Sequence, residues 1–254
     1  MHLLDWLRPS QPNPIPAGLW QATIAHYDFL KSLDPEEQSR LKILAEQFLA
    51  GKEFTAVGGL AICDEICVAI AAQGCLPILE IGLQAYSDWV GIIVYPDEFV
   101  VKREVIDEDG IVHEYTDILS GEAWEGGPLL VSWHDVRRAD AHYNVVIHEF
   151  AHKLDMNNGE VDGIPALPTD IAVDRWKSCF FKAYENFCQR VDAGENTSID
   201  PYGSESPAEF FAVLSETFFG MPDCFATDYP ELYALFKRYY RQDPLARLSA
   251  AFKP

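Results

Sequence analysis

The sequence predicts an α+β fold, with helices at both ends and a central mixed sheet, on three observations. Capped helical stretches dominate between Trp20 and Gln73, β-branched and aromatic runs fill the middle from Val90 to Trp133, and helical periodicity returns from Asn144 onward. Four prolines between Pro9 and Pro16 make residues 1–16 an extended leader, and residues 17–254 read as one domain with a helical N-terminal part.

The elements follow in order. A first helix is expected over Trp20–Leu33. Asp34-Pro35-Glu36-Glu37 then supplies a cap, a proline at the first helical position and first-turn acids for a helix to Gly51. A third helix spans Gly59–Gln73 and stops at Cys75-Leu76-Pro77. Val90–Tyr95 and Phe99–Val101 have strand composition, and Asp107–Gly110 is a turn leading into Ile111–Tyr115. That acidic turn lacks the spacing of a calcium loop. Gly126-Gly127-Pro128 introduces a short strand, Leu129–Trp133, which suits either an edge that pairs with an extended substrate or an interior position. After it come a helix from Asn144 to the stop at Asn157-Asn158-Gly159, a polar loop to Thr169, a long helix Ile171–Val191, and helices Glu209–Phe219 and Tyr229–Tyr240.

Charge and composition exclude some functions. A net charge of −21 over 254 residues opposes nucleic-acid binding, which needs a basic footprint to displace phosphate counterions. No run reaches the ~18–20 apolar residues of a membrane span, and the first residues have no signal-peptide pattern, so a cytoplasmic protein is expected. Six cysteines (Cys63, Cys67, Cys75, Cys179, Cys188, Cys224) form no disulfide framework, and Cys63 and Cys67, although at helical spacing, read as small core residues.

The decisive motif is His148-Glu149-Phe150-Ala151-His152. Two imidazoles four positions apart on a helix differ by about 40° around the axis and ~6 Å along it, so both reach one metal ion. Glu149 is placed to take a proton from a water that the metal acidifies, the arrangement of HExxH zinc peptidases. A random match at this composition has odds of roughly one in seventy. Catalytic zinc takes a third protein ligand. The metzincin pattern would need glycine and histidine where Asp155 and Asn158 stand, which removes that class. Glu209 is the preferred third ligand, because a carboxylate in the first turn of the apolar helix Pro207–Glu216 is costly unless paired or bound to a cation. Glu216, on the same face, and Asp155 are candidates to hydrogen-bond a ligand from behind.

Five ordered blocks carry a resemblance: Gly121-Glu122-Ala123-Trp124; Gly127-Pro128 through Ser132-Trp133 and Asp135-Val136; Val146 to Asp155; Asp162-Gly163-Ile164-Pro165; and Pro207 to Ala212. Together, over residues 15 to 245, they resemble the Mlc titration factor A family, bacterial cytoplasmic zinc metallopeptidases of the gluzincin type. The resemblance implies a zincin-like fold and one zinc per chain, held by His148, His152 and Glu209. It also implies a tyrosine near the metal at Tyr202 and aminopeptidase-like cleavage of short peptides. In enteric bacteria the founding member binds the sugar-uptake repressor Mlc, so a transcriptional regulator is an implied partner beside the peptide substrate.

The mechanism expected from these residues makes Glu149 the general base and proton carrier. Tyr202 either donates to the developing oxyanion or occupies the open metal position at rest. Two rival readings use the same chain: a regulatory protein that sequesters a repressor with zinc as structure only, and a metal hydrolase acting on non-peptide amides or esters. Retention of Glu149 weighs against the first, because a structural zinc site needs no general base.

Overall fold

The computed structural model describes residues 12–106 and 112–251; residues 1–11 of the proline-rich leader and the turn expected at Asp107–Gly110 lie outside them. Residues 12–16 carry no helix or strand, yet Ile15 is buried and its N–H donates to Glu46 Oε1 at 2.9 Å, so the chain is anchored before the first helix.

The expected first helix is two, α1 (Ala17–His26) and α2 (Asp28–Lys31). Tyr27 is extended between them, with its hydroxyl donating to Val136 O at 3.0 Å and His26 Nε2 lying 2.8 Å from Arg137 O. Contacts more than a hundred residues away thus override helical propensity. α3 (Pro35–Gly51) starts as expected with a complete capping box: Asp34 Oδ1 accepts from Glu36 and Glu37 N–H, and Glu37 Oε2 accepts from Asp34 N–H. α4 is Asp64–Cys75, five residues shorter at its start than expected.

The sheet contains β1 (Glu53–Ala56), β2 (Gly91–Tyr95), β5 (Gly121–Ala123) and β6 (Leu129–Ser132) in the order β1-β2-β6-β5. β1, β2 and β6 are parallel, and β5 runs antiparallel to β6. β3 (Phe99–Ile106) and β4 (Val112–Leu119) form a separate antiparallel pair that leads through Ser120 into β5. β6 is therefore interior and buried at every position, and the edge strands are β1 and, beside β6, β5. Trp133 belongs not to β6 but to α5 (Trp133–Arg138), capped by the Ser132 hydroxyl.

α6 (Val145–Asp155) is the motif helix. Asn144 Oδ1 accepts from Ile147 N–H at 2.9 Å, and the chain turns away at Gly159, whose φ of 88° suits glycine. α7 (Val173–Asp192), α8 (Pro207–Gly220), α9 (Pro222–Asp228), α10 (Pro230–Tyr240) and α11 (Pro244–Ala251) follow; α9 and α11 are additions to the expected set. The core is rich in aromatic rings. Phe150 of α6 sits among Phe48, Tyr86 and Trp89 at 5.1–5.7 Å between centroids, and Trp176 stacks on Phe236 at 5.4 Å. Gly74 is where α4 meets α6: a Cβ there would lie 2.3 Å from the Phe150 ring. The architecture is α+β and zincin-like, with α6 packed between the sheet and α8. No described helix is long and apolar enough to cross a membrane.

Candidate metal centre

α6 and α8 pack side by side, and their facing residues converge. Ser206 Oγ accepts from Glu209 N–H and starts α8, which puts Glu209 in the first turn with its carboxylate over α6. His148 Nε2 lies 2.9 Å from Glu209 Oε2, His152 Nε2 lies 3.3 Å from the same oxygen, and the two Nε2 atoms are 3.2 Å apart. Bonds of ~2.0–2.1 Å to a tetrahedral ion would separate its ligand atoms by about 3.3 Å. Two imidazole nitrogens and one carboxylate oxygen therefore already stand close to one face of a zinc tetrahedron, and the donor set fits that ion. Among the described residues this is the one group of three metal-ligating side chains; Cys63 and Cys67 join none.

Burial lowers the His148 pKa, but the hydrogen bonds it donates to the Glu209 and Glu216 carboxylates outweigh this and hold the imidazole well above its ordinary value. Burial raises the Glu209 carboxyl, and the two histidines more than reverse this, leaving it well below the usual range. A divalent cation at the same point satisfies all three groups.

Glu216, two turns along α8, holds the assembly from behind. Its Oε1 is 2.8 Å from His148 Nδ1 and its Oε2 accepts from Asn144 N–H at 2.5 Å. One carboxylate thus fixes both the ring orientation and the start of α6, and turns His148 Nε2 toward Glu209. Asp155 has a different task. Its Oδ2 accepts from Gly163 N–H at 2.8 Å and fastens the loop after α6, and burial pushes its carboxyl up to about 7.

Beside the cluster is a cavity of about 220 Å³ lined by residues that include Ser120, Gly121, Tyr143, His148, Glu149 and Tyr202. Glu149 is 5 % exposed, and its Oε2 has no hydrogen-bond partner among the described residues. Burial raises its carboxyl to about 7, against the opposing pull of His148 and His152. It lies directly against β5, where a Cβ on Gly121 would fall 2.5 Å from Glu149 Oε1. No described strand pairs with the outer edge of β5, the strand that borders the carboxylate.

Tyr202 sits in a 3-10 turn, Pro201–Ser204, and its ring centroid is 5.9 Å from that of His148. Asp200 caps this turn, Oδ1 accepting from Tyr202 N–H at 2.9 Å. Three neighbours escape sequence reasoning. Tyr143 faces the same cavity and hydrogen-bonds Ser120; burial above all pushes its phenol up. Lys153, 1 % exposed, donates to the carbonyls of Trp124 (2.5 Å) and Gly127 (2.9 Å), tying the β5–β6 turn to α6. Burial lowers its ammonium to about 8. Asp200 is the third. A buried lysine next to a motif histidine was a visible signal; the other two depend on tertiary placement.

Comparison with known proteins agrees with this geometry. The profile of the glucose-regulated metallo-peptidase M90 family matches residues 4–241. Mlc titration factor A of Serratia proteamaculans is 40 % identical over 97 % of this chain and 95 % of its own. The proteins of the same name from Escherichia fergusonii (41 %; 94 % and 90 % covered) and Salmonella arizonae (42 %; 91 % and 93 %) are similarly related. The chain belongs to the glucose-regulated metallo-peptidase M90 family, together with the proteins named Mlc titration factor A.

Proposed function

We propose that this protein is a zinc-dependent peptidase with aminopeptidase-like action on short peptides, its site formed within one domain, residues 17–254. His148, His152 and Glu209 hold one zinc per chain, which when bound supplies Lewis acidity that brings the pKa of water toward 7 and polarises a carbonyl. The observation that carries the reading is Glu149: a buried carboxylate with an unpartnered oxygen, lining the same cavity as His148. Leaving such a group unsatisfied costs ~1–3 kcal/mol or more, which a purely structural metal site has no reason to bear.

Glu149 takes the proton of the attacking water and delivers it to the leaving amine. The edge of β5 receives the peptide backbone by strand addition and sets the scissile bond against Glu149. Gly121 must stay side-chain-free for this, so Gly121→Ala is expected to retain metal and lose about ten- to a hundredfold in turnover, as misplacement of a reacting group does. Unchanged turnover in steady-state assays would separate β5 from the reaction.

Tyr202 donates to the developing oxyanion. Tyr202→Phe is expected to slow turnover by roughly ten- to a thousandfold with KM little changed. A faster variant assigns the hydroxyl to capping the metal at rest, and an unchanged one removes it from the site.

The relatives' name favours a second activity, binding of a transcriptional repressor such as Mlc. Glu149→Gln separates the two: it removes hydrolysis with metal retained if the site is a peptidase, and changes nothing if binding is the sole activity.

A further inference from the structure

The cavity next to the metal cluster is one-sided in charge. Glu149, Asp200 and Glu216 line it, and among the described residues no lysine or arginine does. Its acids divide by what already engages them. Both oxygens of Glu216 are taken, by His148 and by Asn144 N–H. Glu209, of the neighbouring cluster, lies against the two motif histidines, and Glu149 serves the water's proton. Asp200 is left. One of its oxygens accepts from Tyr202 N–H, which fixes the carboxylate on the cavity wall, and its second oxygen accepts no hydrogen bond from a described residue. Beyond its charge, the buried and unpartnered Oε2 of Glu149 marks the cavity as made for a ligand.

In a peptide cleaved after its first residue, the α-ammonium is only two bonds from the scissile carbonyl carbon. Its anchor must therefore share one small cavity with the reacting groups, and about 220 Å³ is smaller than the ~300 Å³ at which small-molecule pockets usually begin. We infer that Asp200 is the anchor for the substrate's free N-terminal ammonium, the residue that restricts this site to unblocked peptide N-termini. The inference rests on the peptidase reading. The Tyr202 turn then has two tasks, with Tyr202 at the carbonyl and Asp200 at the amine.

Asp200→Asn tests this cleanly, because the amide oxygen still caps Tyr202 N–H while the charge is lost. Asp200→Ser, also a capping residue, is the second variant should the first misfold. Zinc-loaded wild type and variants are titrated calorimetrically with alanine hydroxamate and N-acetylalanine hydroxamate, and assayed on alanine p-nitroanilide and its acetylated form. Wild type is expected to favour the free amine by roughly ten- to a hundredfold, the scale of a charge-assisted hydrogen bond, and the variants to lose that preference at equal zinc content. A preference that survives in both variants, or is absent from wild type, overturns the anchor. Preference lost in the variants with no hydrolysis by any form leaves the anchor standing and removes the peptidase reading. Hydrolysis of blocked and free substrates alike does the reverse.

Discussion

Glu149→Gln is expected to retain the metal and lose peptide hydrolysis by on the order of a hundredfold or more, the usual contribution of a positioned general base. The substitution is nearly isosteric, and the site tolerates little else, since Glu149 is 5 % exposed and packed against Gly121 of β5. What changes is proton affinity. Burial holds the carboxyl at about 7, within reach of both protonation states near neutral pH, and an amide has no such state. Metal analysis and turnover measured on the same preparation decide the matter: wild-type turnover in the metal-loaded variant would remove Glu149 from the reaction. If the variant loses hydrolysis yet still binds a repressor that wild type binds, catalysis and binding are separate properties of one fold.

What was legible in the sequence was what short-range chemistry decides. The Asp34–Glu37 capping box sets α3 within four residues, and Asn144 and Gly159 bracket the motif helix. The histidine pair is likewise local, because helix geometry alone brings it together. The break at Tyr27 was not legible, since its cause is a hydrogen bond to Val136. Nor was β1, whose Glu-Phe-Thr-Ala holds no strand signature and becomes a strand only beside β2. Leu129–Ser132 suited an edge or an interior position equally, because three-residue β5, which covers its outer side, is too short to announce itself. α9 and α11 both open on a proline, a cue present at Pro222 and Pro244 that short length obscured. Within the site, Glu209 could be argued from the cost of an acid in an apolar helix. Tyr143 and Asp200 could not, because loops far apart in sequence carry them to the cavity wall.

His148→Ala, His152→Ala and Glu209→Ala are each expected to leave far less than one zinc per chain and to abolish turnover. Each variant removes one of three donor atoms that stand 2.9–3.3 Å apart, and two remaining ligands do not make a catalytic zinc site. Glu209→Ala is the most informative, because its role rests on the fold rather than on the motif. Full occupancy in that variant would pass the third position to Asp155, Glu160 or Asp162, and their present bonds oppose this. Asp155 is held by Gly163 N–H, Asp162 Oδ1 by Ile164 N–H, and Glu160 is exposed. Proton linkage gives a second readout. In the metal-free protein His148 is held protonated well above its ordinary 6.5, so this network's stabilisation is full below that value and fades as pH rises through the raised one. Zinc must displace that proton, so its affinity should climb with pH over the same range, with proton release visible in calorimetry across buffers of different ionisation enthalpy. Glu216→Gln weakens the hold on the His148 proton without removing a ligand. It is expected to lower proton release while costing about ten- to a hundredfold in zinc affinity, the usual effect of losing a carboxylate behind a metal-bound histidine. Affinity independent of pH in wild type would mean that the ion binds elsewhere than at His148.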